Sequence, residues 1–157
     1  MLSGGVTNRL LSNSTAAEVT ESGVTAFNSD GFTLGSDQGL NFASDTYVAW
    51  NWKANGAGSS NTAGSITSTV SANTTSGFSI VTYNGTGANA TVGHGLGVAP
   101  SMIIVKCRSN ASTNWTVYHT SLGNTGYIYL NLTNAAGTGY SGFWNSTSPT
   151  SSVFSTW

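Results

Sequence analysis

Five tryptophans carry most of the binding chemistry that this sequence offers: Trp50, Trp52, Trp115, Trp144 and Trp157. The face of an indole ring can stack on the apolar C–H face of a sugar ring. Trp115 and Trp144 lie near polar, loop-like stretches, so we expect these two residues to be the candidates for glycan stacking. Trp50 and Trp52 share one face of an alternating stretch, which favours packing in the core or between subunits.

Three aspartates form a candidate metal site. Asp30, Asp37 and Asp45, together with Asn28, offer the oxygen ligands that Ca²⁺ prefers. Their spacing matches no calcium-binding loop, and an Asn-Ser-Asp-Gly turn accounts for Asp30 without a metal. The sequence therefore predicts no metal site and no cofactor, and it leaves calcium at these three aspartates as the alternative.

The single cysteine and the two histidines offer little for catalysis. Cys107 shares a strand face with Ile103 and Val105, which predicts a buried thiol. One cysteine also excludes an intrachain disulfide. A Cys–His nucleophile would need a third group to orient it, and no motif supplies one. His94 lies in a Gly-His-Gly-Leu-Gly run, which predicts a structural histidine in a loop.

The distribution of acidic residues excludes most enzyme mechanisms. All five carboxylates lie at or before Asp45, so residues 46–157 contain none. That stretch cannot supply a carboxylate general acid or base, a carboxylate metal ligand or the acidic member of a catalytic triad. We therefore predict that the protein is not an enzyme and has no catalytic residues.

The composition excludes two further classes of protein. Only 6 % of the 157 residues are charged, against about 25 % in an average domain, and the formal net charge is −1. Nucleic-acid binding through phosphates needs clustered Lys and Arg, so we expect no nucleic-acid partner. No apolar run approaches the roughly 20 residues of a membrane span, and the N-terminus shows no signal-peptide pattern. We expect no membrane insertion.

Alternation of apolar and polar residues predicts many strands, and no helical periodicity is visible. The strongest pattern is Thr46–Lys53, in which Val48, Trp50 and Trp52 share a face. Ser101–Arg108 is apolar on both faces in its middle, which predicts a central strand. The other predicted strands are Thr7–Leu11, Val24–Phe27, Gly31–Gly35, Ser65–Val70, Gly77–Tyr83, Asn114–His119, Gly126–Leu132 and Ser151–Ser155. We predict an all-β, antiparallel sandwich of jelly-roll type with almost no helix.

The chain is predicted to have two parts. Residues 54–64 are small and uncharged, which is typical of a flexible linker. They separate a β-strand segment, 1–53, from a β-sandwich domain, 65–157. The first part is too small to bury a stable core, so we expect an incomplete jelly roll that adds strands to the second part or to a neighbouring chain. A faint repeat supports this interpretation, although any β sequence rich in Ser, Thr and Asn shows such similarities.

Five stretches occur in an order that is typical of one family: Phe27–Gly35, Thr46–Lys53, Gly77–Tyr83, Ala90–Lys106 and Asn114–His119. In this order they resemble the uncharacterised repeat module of tail-fibre-like structural proteins of marine bacteriophages. Thr46–Lys53 is similar to the closing strand of a laminin-G/concanavalin-like jelly roll before that module, although family copies often have cysteine where this chain has Asn51. The resemblance implies a β-sandwich with a role at the virion surface, and no catalytic residues.

These observations predict a structural virion-surface or fibre protein that self-associates, located on the virion or outside the cell. The expected partner is the chain itself, in a homo-oligomer or fibre, and host cell-surface glycan is a further candidate partner. Thr46–Lys53 is the predicted assembly strand, through Val48, Trp50 and Trp52, because an unpaired apolar strand recruits a partner strand. The alternatives are a carbohydrate-binding module and a self-polymerising extracellular filament subunit.

Overall fold

The computed structural model describes residues 6–157, and its secondary structure there is almost entirely β. Helical residues form only a four-residue helix, α1 (Gln38–Asn41), and one 3-10 turn (Thr120–Leu122). The strands of the described residues are β1 (Asn8–Arg9), β2 (Val19–Thr20), β3 (Val24–Phe27), β4 (Phe32–Leu34), β5 (Ser59–Asn61), β6 (Ser68–Asn73), β7 (Phe78–Thr82), β8 (Ala90–Gly93), β9 (Met102–Val105), β10 (Thr116–His119), β11 (Ile128–Tyr129) and β12 (Val153–Thr156). The all-β prediction is confirmed.

The strands form small antiparallel sheets. β1 pairs with β2, β3 with β4, and β8 with β12, while two three-stranded sheets have the orders β5-β6-β7 and β9-β10-β11. In the β6–β7 hairpin, Val70 lies opposite Val81. A parallel bridge between Ile66 and Val92 connects the chain before β6 to β8.

The core lies where these sheets meet. Ile66, Val92 and Phe154 are buried together. Half-buried side chains from β7 to β9 pack against them, namely Val81, Tyr83, Ala90 and Ile103. Side chains from separate antiparallel sheets thus cover one another, as in a sandwich. The antiparallel sandwich is confirmed, and the jelly-roll connectivity stays a prediction.

The prediction of a strand over Thr46–Lys53 is wrong. The segment has no regular secondary structure, and all of its residues are exposed. An alternating pattern becomes a strand only when a neighbour supplies backbone hydrogen bonds, and no strand among residues 6–157 pairs with this segment. Thr46–Lys53 therefore has the alternating pattern of a strand, but no strand among residues 6–157 lies beside it to pair with.

The prediction that Ser101–Arg108 forms a central strand is also wrong. The strand is β9, and in its sheet β10 is the central strand while β9 lies at the edge. Met102 and Ile104 are about half exposed, whereas Ile103 faces the core. An apolar stretch can therefore have one face in solvent, which this pattern alone does not reveal.

Residues 54–64, predicted to be a flexible linker, contain β5, which pairs with β6. The Asn55 N–H donates to the Ser71 hydroxyl at 2.9 Å, and that hydroxyl donates to the Gly56 carbonyl at 2.8 Å. Because Ser71 is buried, these bonds fix the stretch before β5. The division into 1–53 and 65–157 stays a prediction.

An ion pair ties the N-terminal strands to the later sheets. Arg108 donates from Nε to Glu18 Oε2 at 2.7 Å and from Nη2 to Glu18 Oε1 at 2.6 Å. The Glu18 N–H also donates to the Arg108 carbonyl at 2.8 Å. The hydrogen bond from Arg108 holds the pKa of Glu18 below its usual value, since it stabilises the ionised form. These contacts connect the chain immediately before β2 to the chain after β9. Across residues 6–157, no helix has the length and apolar character to cross a membrane.

Candidate functional site

The most unusual surface is the aromatic segment, by which we mean Thr46–Lys53. Its large apolar side chains are strongly exposed: Tyr47 by 51 %, Val48 by 81 %, Trp50 by 78 % and Trp52 by 66 %. Single exposed apolar residues are normal, but four within six positions concentrate exposed apolar area in one short segment. Such patches in soluble proteins are typical of interaction surfaces.

The aromatic segment makes a local contact at its start and is held to β6 and β7 at its end, where the Lys53 carbonyl accepts from Asn73 Nδ2 at 3.2 Å. The Tyr47 hydroxyl accepts a hydrogen bond from the Phe42 N–H at 2.9 Å. At the other end, the Trp52 ring stacks on Phe78 of β7, with ring centroids 6.3 Å apart and an interplanar angle of 23°. Between these contacts, Val48 and Trp50 have no hydrogen bond or ring contact to any part of the described chain. The segment thus presents its middle to solvent.

A second feature is a groove with a volume of about 840 Å³ between the end of β7 and the end of β9. One wall is Val81 to Ala88, and the opposite wall is Val105 to Ser109. Aromatic side chains also line the groove, namely Tyr129, Phe143, Trp144 and Trp157. Trp157 is 70 % exposed, whereas Tyr83 in the first wall is half-buried, and its burial raises the pKa of its hydroxyl. Polar and charged side chains line the groove as well, among them Glu18, Lys106 and Arg108. The groove is therefore a mixed surface, in which apolar and aromatic side chains lie beside polar and charged ones.

Cys107 lies in the groove and is exposed, so the prediction of a buried thiol is wrong. The cause is that β9 ends at Val105, and the face alternation that placed Cys107 beside Ile103 does not continue beyond that point. A hydrogen bond with the Ser109 hydroxyl, at 3.7 Å, lowers the pKa of the thiol. The thiol is thus accessible to solvent, and the lower pKa raises the fraction of it that is ionised near neutral pH.

The two tryptophans predicted to stack on glycans have structural contacts. Trp144 is only 3 % exposed, packs edge-on against Tyr118 with ring centroids 5.6 Å apart, and donates from Nε1 to the Gly126 carbonyl at 3.1 Å. This burial leaves no ring face open to a sugar, so the structure does not support Trp144 as a stacking residue. Trp115 is half-buried, and its Nε1–H donates to the Leu11 carbonyl at 2.9 Å. Glycan stacking at Trp115 stays a prediction.

The three aspartates proposed as calcium ligands have different roles. Asp37 caps α1 by accepting from the Gly39 N–H at 2.7 Å, and it also accepts from Arg9 Nη1 at 2.7 Å. The Gly39 hydrogen bond is the main reason that the pKa of Asp37 is lowered. Across residues 6–157, no three His, Cys, Asp or Glu side chains come close enough to hold a metal. Asp30 and Asp45 therefore do not join Asp37 in a site.

His94 is buried in the loop after β8, at the place where a structural histidine was predicted. Its Nδ1 accepts from the Leu96 N–H at 3.2 Å, so the proton of the neutral ring lies on Nε2, which donates to the Thr150 carbonyl at 3.1 Å. Burial lowers the pKa of His94, and the bond to Thr150 opposes this effect. The ring connects the β8 loop to the stretch before β12 and takes no part in the groove.

We expect the thermal stability to fall as the pH is lowered from about 7.5 to about 5.5. The unfolded chain protonates His94 near the ordinary value of about 6.5, whereas the folded state resists protonation because burial of the ring lowers its pKa. The unfolded state then binds more protons, so acidification favours unfolding in this range. Calorimetry should show a smaller fall in Tm for His94→Gln than for the parent. Equal falls in the two proteins would assign the pH dependence to other groups.

A family model described as a domain of unknown function (DUF7483) matches residues 3–156. No curated protein and no solved structure matches the chain. The matched range includes the N-terminal strands, the aromatic segment and the groove apart from Trp157.

Proposed function

We propose that this chain, which belongs to the family described as a domain of unknown function (DUF7483), is a structural protein that assembles with other copies of itself. The observation that carries the proposal is the aromatic segment, in which Val48 and Trp50 are about four-fifths exposed. Covering these side chains removes apolar area from water, which is the main driving force of protein association. The net charge of −1 adds little repulsion between copies.

The setting that we propose is a virion surface or an extracellular fibre. The order of stretches that resembles tail-fibre-like phage proteins supports this setting, and the charge-poor, all-β chain is compatible with it. In such a setting the chain acts by holding a position and a contact surface, so the role is not catalytic. Host glycans remain the candidate external partner.

Sedimentation velocity of the purified chain over a range of concentrations tests self-association. We expect the average mass to rise with concentration. Because the aromatic segment has a single charge, at Lys53, this rise should be nearly the same between about 0.1 and 1 M salt. A protein that sediments as a monomer at every concentration would contradict the proposal.

A carbohydrate-binding module is the second candidate, and the groove favours it. Trp157 is 70 % exposed beside the groove, where the side chains of Asn84 and Asn114 offer amide groups for sugar hydroxyls. Binding on a glycan array that is lost in Trp157→Ala and kept in Trp52→Ala would select this candidate. Absence of binding in the parent would exclude it.

A further inference from the structure

We propose that the aromatic segment of one copy lies in the groove of the next copy, so that the chain assembles head-to-tail. The inference rests on the proposed self-association and adds the surface that receives the segment. The occupant is a second copy of this chain, because the structure leaves both the segment and the groove open within one copy.

The strands on both sides of the groove can accept another strand. β7 pairs with β6 alone, and β9 pairs with β10 alone, so each is an edge strand within residues 6–157. An edge strand has backbone N–H and C=O groups on its open side, and an extended segment can add to it through main-chain hydrogen bonds. Thr46–Lys53 has the alternating pattern of a strand but has no strand partner. The groove supplies the missing neighbour.

The chemistry of the two surfaces is complementary. The aromatic segment offers Val48 and Trp50 in its middle, and the groove offers Val81, Val105 and aromatic rings. The segment has one charge, at its last residue. In the groove, Arg108 pairs with Glu18, and the Lys106 ammonium donates to the carbonyls of Cys107 and Asn110, so the charges of the groove have partners before the segment enters. Apolar side chains of the segment would thus cover apolar walls, and its polar main chain would meet an open strand edge.

The available area is sufficient for a stable contact. An aromatic side chain buries about 150–250 Å², so the segment's three aromatic residues and Val48, at their observed exposures, offer roughly 400–600 Å². A similar area on the groove brings the total to roughly 800–1,200 Å², which reaches the lower limit of specific interfaces at about 1,000 Å². Backbone pairing adds to this area.

The arrangement determines the type of assembly. The segment and the groove are different surfaces, so the contact is heterologous: each copy donates its segment to one neighbour and receives a segment from another. Heterologous contacts give a closed ring or an open filament, whereas symmetric pairing of two aromatic segments gives only dimers. A fibre subunit needs a contact of the heterologous kind.

The single native cysteine allows a direct test. Cys107 is exposed in the groove, and Val48→Cys places a second thiol in the middle of the segment. Under copper–phenanthroline oxidation, the two thiols lose two electrons and two protons to the oxidant and form a disulfide. If the segment of one copy lies in the groove of the next, a non-reducing gel should show a ladder of dimers, trimers and larger species, which collapses on reduction.

Three control proteins make the test decisive. The parent and Val48→Cys/Cys107→Ser each have one thiol, so neither should form a ladder. Asn51→Cys places the second thiol on the opposite face of the segment, so it should cross-link less than Val48→Cys. A dimer of Val48→Cys/Cys107→Ser would show symmetric pairing, and a disulfide within the monomer of Val48→Cys would show that the segment folds into its own groove. Either result overturns the inference. Sedimentation of the parent distinguishes failure of the docking site from failure of the proposed function. If the parent assembles but Val48→Cys gives no ladder, only the docking site is contradicted. If the parent is a monomer, the proposed self-association is contradicted as well.

Discussion

Replacing Trp144 with alanine is expected to lower the free energy of unfolding by about 3–5 kcal/mol, as large-to-small substitutions of buried aromatic residues do. Trp144 is 3 % exposed and packs edge-on against Tyr118, so its removal leaves a cavity between β10 and the stretch before β12. The Gly126 carbonyl, which accepts from Trp144 Nε1 at 3.1 Å, also loses its partner. The cavity and the lost hydrogen bond both lower the free energy of unfolding.

The matched control is Trp157→Ala, the same substitution at a residue that is 70 % exposed. Its effect on the free energy of unfolding should stay within about 1 kcal/mol, as for most surface changes. Urea unfolding followed by circular dichroism measures both variants. Similar small losses in the two variants would show that Trp144 is not a core residue.

Local patterns predicted most of the strands because they depend only on neighbouring residues. The predicted strand Val24–Phe27 has the bounds of β3, and Gly77–Tyr83 contains β7. β8 was not predicted, although Val92 in it is among the most buried residues. Its sequence is short and rich in small residues, and its place in the core comes from pairing with the distant β12.

The groove was not predictable, because its walls come from distant parts of the chain. Val81 to Ala88 and Val105 to Ser109 meet across it only after the sheets have formed, and Trp157 reaches it from the end of the chain. The same reason explains the error at Trp144. The surrounding sequence is polar, and the burial comes from a tertiary contact with Tyr118.

The aromatic segment shows which part of an assembly surface a sequence can predict. The alternation of Val48, Trp50 and Trp52 predicted a strand that packs in the core or between subunits, whereas in one copy these side chains are exposed. It predicted a strand because such a pattern is stable next to another strand, and the structure of one copy offers none in pairing distance. The assembly that we propose would supply this neighbouring strand from another copy.

Replacing Val48 and Trp50 with lysine should abolish assembly and leave a folded, soluble monomer. Burial of a large apolar side chain contributes about 1.5–3 kcal/mol, so losing both residues from an interface costs roughly 3–6 kcal/mol. Since each 1.4 kcal/mol changes an equilibrium constant about tenfold, the dissociation constant should rise by a factor of about 10² to 10⁴. Because both side chains are exposed in the single copy, the free energy of unfolding should change little.

The matched control is Ala49→Lys/Asn51→Lys, which adds the same two positive charges to the same segment at positions of the opposite face. If charge alone prevents association, the two double variants should fall apart equally. If the apolar face is the contact, the control should assemble with a dissociation constant within about tenfold of the parent, while Val48→Lys/Trp50→Lys stays monomeric. Sedimentation velocity measures all three proteins. Assembly of Val48→Lys/Trp50→Lys at the strength of the parent would show that other surfaces hold the copies together.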